Sequence, residues 1–230
     1  MNDISKDYLL DNKKWVKYSK GGPYEKWYGN LWLLINFSNE GDEMKSVGAV
    51  LRNNNFYLKE GVTYSASGQR GPSFRYLPKN CVFDTGGSCI FADKEFKNTH
   101  YLIGFMNSKL VGYIIDCLNP TVNAQVGDMQ RIPFVIPSRE EENIIGNLSE
   151  TNVKIKQKLA EYSLFEPECN KYIGAAKSTI SEFLSLENFY LTQILINETI
   201  INEKIFTLYE LTDSDKVIVI AKSGISLGTF

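Results

Sequence analysis

An α+β chain is what the sequence predicts: a mixed sheet-and-helix domain over residues 1–137, then a long antiparallel helical pair over 138–230. Two patterns carry this. Short apolar runs punctuated by glycine and proline fill the first part, as strands and tight connections do. The last ninety residues instead place apolar side chains every three or four positions, which is the helical period. The chain holds 230 residues and is 43% hydrophobic, enough to bury a substantial core.

Taken in order, 1–12 is a lead-in with little to bury. In 12–30 lysines interleave with Trp15, Tyr18, Tyr24, Trp27 and Tyr28 around Gly21-Gly22-Pro23. Lysines can meet phosphates while the rings stack or pack; equally, Trp15, Trp27 and Tyr28 can be core residues at a sheet edge. Leu31 to Phe37 reads as a buried strand, with further short strands at Ser46–Leu51, Asn55–Leu58, Cys81–Asp84 and Ser88–Phe91. Residues 61–79 read as a glycine-rich polar loop presenting Ser65, Ser67, Gln69, Arg70, Ser73 and Arg75. Arginine and glutamine are the side chains for bidentate guanine and adenine contacts in a major groove.

Tyr101, Leu102, Phe105, Leu110, Ile114 and Leu118 predict one amphipathic helix, capped by Asn98 or Thr99. A polar turn, 119–128, follows, and Met129–Ile136 reads as an extended segment. The turn either presents Asn119, Thr121, Asn123 and Gln125 outward or closes on itself through Asx-type turns. Ser138-Arg139-Glu140-Glu141 is a capping box that opens the first long helix. Its seam runs through Ile145, Leu148, Asn152, Ile155, Leu159 and Tyr162; a second runs through Leu191, Ile194, Glu198, Ile201, Ile205 and Leu208, as in a coiled coil.

The net charge of −2 hides an asymmetry. Residues 13–79 hold 11 Lys and Arg against 5 Asp and Glu, whereas 136–230 hold 9 against 14. A basic first third suits a polyanion, and Lys17, Lys20, Lys26, Lys59 and Lys79 join Asn119, Thr121, Asn123 and Gln125 as phosphate-backbone candidates. The four cysteines, Cys81, Cys89, Cys117 and Cys169, lack metal-ligand spacing. Reduced thiols, no metal and a cytoplasmic location are the expectation. No run is apolar enough to span a membrane, and the first residues do not form a signal peptide.

Tyr18 to Gly22, Lys26 to Asn30, Phe74 to Lys79, Phe83 to Ser88, Met106 to Lys109 and the turn 119–128 together resemble the target-recognition region of PglX-type adenine-specific DNA methyltransferases. These belong to phage-defence systems and have type IIG restriction-modification relatives. The resemblance implies a module that reads double-stranded DNA for a methyltransferase catalytic domain or subunit, which would hold S-adenosylmethionine. The catalytic Asn-Pro-Pro-Tyr tetrapeptide of that family is absent, as is a glycine-rich cofactor loop, so no catalytic residue and no cofactor is expected in this chain. The family's tryptophans between module and final helix are also missing, since all three here lie at 15, 27 and 32. One other chemistry is available. Asp84, Glu95 and Lys97 mimic a Mg²⁺ nuclease pattern. A helical protein-interaction adaptor is the third reading.

Overall fold

The computed structural model describes residues 15–68, 70–94, 96–121, 123–162 and 177–222, and its architecture is α+β. Two three-stranded sheets form the β part. In the first, β1 (Trp15–Ser19) lies between antiparallel β2 (Leu33–Asn36) and parallel β5 (Cys81–Phe83). In the second, β3 (Gly61–Tyr64) lies between β4 (Phe74–Leu77) and β6 (Cys89–Ile90), antiparallel to both. A buried bond between the Ser19 and Thr63 hydroxyls, 3.0 Å, ties one sheet to the other.

Several expected strands are placed differently, each for a visible reason. Within 31–37 only Leu31 is buried; Trp32, Leu33 and Leu34 are exposed because β2 is an edge strand. Ser46–Leu51 and Asn55–Leu58 form no strand: helix α1 (Asp42–Ser46) gives way to a turn at Gly48, φ +87°, and Asn54–Phe56 is one 3₁₀ turn. Conversely, the stretch 61–79 is largely a hairpin. Its Val62, Tyr64, Phe74 and Leu77 are buried in the core.

The single expected helix is two, α2 (Thr99–Met106) and α3 (Lys109–Leu118). Asn98 caps the first, accepting from Tyr101 N at 2.9 Å. The break is tertiary in origin. The Asn107 side chain accepts from Phe74 N (3.1 Å) and donates to Phe74 O (2.8 Å), docking the helix end on β4, and Ser108 caps the new helix through Val111 N. Met129–Ile136 is likewise not a strand. Helix α4 (Val126–Met129) and a turn occupy its start, and the rest is pinned by Tyr209, whose hydroxyl donates to Pro133 O at 2.5 Å and accepts from Val135 N at 3.2 Å.

The capping box at Ser138 and Glu141 opens α5 (Arg139–Ala160). Helix α6 (Lys177–Leu208) packs on it with pairings that run in opposite order: Tyr162 with Phe183, Lys158 with Tyr190, Asn152 with Asn197. The buried amide pair, 2.8 Å, is the polar position of the α5 seam. On α6 the buried residues among those described are Ile194, Asn197, Ile201, Asn202, Ile205 and Phe206, whereas Leu191 is exposed. Asn197→Ala is expected to cost about 1–3 kcal/mol, since it strands the buried Asn152 amide. Leucine at both positions should be near neutral. Denaturant melts of the three proteins check it.

Helix α5 uses a second face as well. Ile145, Ser149 and Val153 are buried, and α2 sits against them so closely that a Cβ at Gly104 would lie 2.9 Å from Ile145 Cγ2 and closer still to Ser149 Oγ. One cluster of buried apolar residues therefore runs from Trp27 and Leu31 through α2 to Ile145, Ile201 and Phe206, across the expected boundary at 137. Helix α7 (Asp213–Lys222) adds Val219.

His100 lies at the α2 start, stacked on Tyr76 with ring centroids 5.3 Å apart. Burial lowers its pKa below the ordinary 6.5, against the opposing pull of Glu150 and Glu60. Below that value the unfolded imidazole takes a proton that the folded one resists. The contribution is thus complete above pH 6.5 and declines as pH falls toward the folded value. Between about pH 7.5 and about pH 5.5 the native chain should lose more stability than His100→Phe, read as the shift in urea midpoint.

Candidate nucleic-acid interface

Strand ends position the candidate loops. β1 and β5 run parallel, so Lys20–Glu25 and Asp84–Gly87 leave the first sheet at the same end. The register Gly61↔Leu77 and Tyr64↔Phe74 sends residues 65–73 out at one end of the hairpin. These segments meet. Ala66 N donates to Gly86 O at 3.1 Å; Gly21, at φ +85°, packs so tightly that a Cβ would lie 2.5 Å from the same carbonyl. The polar turn joins them through the Ser67↔Asn123 bridge and Ala124 N to Ala66 O, 2.8 Å. Four segments separated by up to a hundred residues form one rim.

Arg75 is its foundation. The side chain is fully buried, with Nη2 donating to Ser65 Oγ at 3.2 Å and Nη1 to Ser73 O, Ser73 Oγ and Glu25 O at 3.3–3.5 Å. Ser65 Oγ also donates to Gly22 O and accepts from Gly22 N, and Ser73 Oγ accepts from Glu25 N. Of the base-reading candidates, Ser65, Ser73 and Arg75 are therefore buried, hold the loops from beneath and show no edge to a groove. Ser67 and Arg70 are exposed on the rim, and Arg70 lies over the Tyr24 ring, 5.5 Å from its centroid. Gln69 lies outside the described residues.

The backbone candidates divide too. Lys20, Thr121, Asn123 and Gln125 are exposed at or beside the rim. Asn119 is committed internally: its amide donates to Asn123 O (2.8 Å) and Asp128 Oδ2 (2.7 Å), and its carbonyl accepts from Thr121 N and Oγ1. It makes the Asx turn that gives the loop its shape. The Asn119 bond, then the Gln125 amide, holds the Asp128 carboxyl below the usual range. Lys17 is buried in β1, while Lys59 and Lys79 are exposed at the opposite end of the hairpin.

Lys26 faces α6. Its ammonium lies 3.4 Å from Glu198, which also accepts from Trp27 Nε1 at 2.8 Å. Burial works against the Lys26 charge, but Glu198 outweighs it and the pKa stands above the usual value. Lys109, nearby, is lowered by burial and by Lys26. Glu198, read in the sequence as a seam position, thus joins α6 to the β part. Glu198→Ala strands both partners and should cost about 1–3 kcal/mol; Glu198→Gln, which keeps the Trp27 acceptor, should fall between, in thermal melts.

Asp84 Oδ1 accepts from Gly86 N and Gly87 N (2.8 and 3.3 Å) and Oδ2 from Tyr18 OH (2.6 Å), so the carboxylate organises its own turn. Glu95 lies outside the described residues, Lys97 is exposed, and no group of three His, Cys, Asp or Glu able to hold a metal occurs among the described residues. Cys81, Cys89 and Cys117 form no disulfide among the described residues, and burial pushes Cys89 up to about 12. No helix among the described residues is long and apolar enough to cross a membrane.

No known protein family profile matches the chain. Over 226 aligned residues, 93% of its length, it is 30% identical to the adenine-specific methyltransferase BrxX of Escherichia coli O9:H4 (strain HS). It is also 32% identical over 131 residues to the adenine-specific methyltransferase PglX of Lacticaseibacillus casei (strain Zhang). The chain is similar to one segment of each of these methyltransferases. It spans only 18% of BrxX, and the PglX match spans 11% of that protein. The BrxX match extends through the helices, so α5 and α6 belong to the shared segment as much as the rim does.

Proposed function

We propose that this chain is the target-recognition module of an adenine-specific DNA methyltransferase, reading double-stranded DNA through the rim while a catalytic domain or subunit supplies S-adenosylmethionine and the methyl transfer. The observation that carries the reading is the convergence of Lys20, Tyr24, Ser67, Arg70, Thr121 and Asn123 on one rim fixed by strands and by buried Arg75. Such a rim offers a cation for phosphate, a guanidinium for a guanine edge and neutral donors for positioning. Methyltransferase relatives supply the context. Restriction-modification or phage defence is the matching biology. The acidic α5–α6 side is electrostatically unsuited to phosphates and is assigned to scaffolding.

Labelled duplexes titrated at two salt concentrations test the reading, with affinity expected to fall steeply as counterions are released. Arg70→Ala should relax discrimination between sites by about 1–3 kcal/mol, whereas Lys20→Ala should weaken all sequences alike and reduce the salt slope by about 1. Lys79→Ala, at the far end of the hairpin, should change little. Salt-independent binding, or an Arg70→Ala protein with unaltered site preference in the assembled methyltransferase, would overturn the assignment.

A further inference from the structure

Beside the rim, and sharing the Asp84–Ser88 turn with it, opens a cleft of about 640 Å³. We propose that this cleft binds a single unpaired nucleobase of a DNA strand, one carrying an exocyclic amino group, together with its phosphate. The proposal rests on the rim being a DNA face.

The lining carries the three chemistries such a ligand requires. Rings form the wall: Phe56 stacks on Phe91 with centroids 4.9 Å apart, Tyr57 meets Phe83 edge-on at 5.1 Å, and Phe56 stays 37% exposed on the cleft side of the chain. A base is the planar partner such a wall accepts. Asp84 supplies the acceptor. Its Oδ2 receives one hydrogen bond, from Tyr18, and a carboxylate oxygen accepts two, so an amino group of adenine or cytosine can complete it. Thymine can meet it only through N3–H, its O4 being itself an acceptor. Arg52, exposed at the margin, supplies the cation for the phosphate. The volume lies within the range of small-molecule sites.

Position links cleft and rim. Asp84 fixes the turn whose Gly86 carbonyl accepts from Ala66 and underlies Gly21, and Val126, also in the lining, follows Gln125 of the polar turn. A strand held at the rim would therefore lead into the cleft at its Thr85 edge.

The test titrates the full chain with dAMP, TMP, deoxyadenosine, oligo(dA) and oligo(dT), following Phe and Tyr ring resonances by NMR, with a blunt duplex as the separate arm for the rim. Oligo(dA) is expected to bind, dAMP to compete for the same ring resonances, and the thymine probes to bind at least about tenfold more weakly. Phe56→Ala should weaken oligo(dA) at least about tenfold; Arg52→Ala, an exposed change that leaves the core intact, should weaken dAMP but not deoxyadenosine. Equal binding of adenine and thymine probes, ring resonances unmoved by oligo(dA), or Arg52→Ala acting equally on nucleotide and nucleoside would overturn the proposal. Duplex binding without oligo(dA) binding overturns the cleft and leaves the rim; oligo(dA) binding without duplex binding does the reverse.

Discussion

Arg75→Ala is expected to unfold the rim rather than to relax its specificity. The fully buried guanidinium reaches Ser65, Ser73 and the Glu25 carbonyl, and those serines in turn hold Gly22 and Glu25. Alanine leaves a cavity on β4 and takes the guanidinium donor from the Ser73 and Glu25 carbonyls, while the Ser65 and Ser73 hydroxyls keep the Gly22 and Glu25 amides. Each such carbonyl costs about 1–3 kcal/mol, so a total of about 3–5 kcal/mol is expected, at the top of the range for point substitutions. Duplex affinity should fall for every sequence in proportion to the folded fraction, unlike Arg70→Ala, which keeps the scaffold. Thermal melts beside duplex titrations separate the two. A stable Arg75→Ala protein with altered site preference would restore Arg75 as a base-reading residue.

Gly104→Ala is expected to loosen the junction between β part and helices, by about 1–3 kcal/mol. The added methyl would meet Ser149 Oγ and Ile145 Cγ2 in a contact between helices that leaves no room for it. Ser149 is fully buried and its hydroxyl has no hydrogen-bond partner among the described residues, so Ser149→Ala by itself should be neutral or stabilising. It also removes the atom the new methyl would strike. The double variant should therefore regain much of the loss, and a double-mutant cycle of denaturant melts measures the coupling. Additive effects would mean that α2 and α5 do not meet as described. The same contact makes truncation after residue 137 damaging, because Ile103, Phe105 and Trp27 lose cover from α5 and α6.

Local chemistry was legible in the sequence. Asn98 and the Ser138–Glu141 box cap helices because capping is decided within four residues. That Ile145, Asn152 and Ile155 are buried follows from period alone, and strands β5 and β6 follow from short apolar runs. The α+β class follows from the change of period along the chain. So does the polar turn, where Asn119 closes on Thr121 and Asp128 within nine residues. What only the tertiary structure decided involves partners distant in sequence. Composition marked 61–79 as polar loop, yet Val62, Phe74 and Leu77 find the core, and Arg75 becomes structural because Ser65 and Glu25 arrive beneath it. The periodicity through Leu118 has no break at Asn107; Phe74, thirty-three positions earlier, makes one. Glu198 sits at a heptad position but bonds Trp27, 171 residues away. A side chain's period states which way it points from its own element; whether that direction meets water, core or another loop depends on what the rest of the chain brings there.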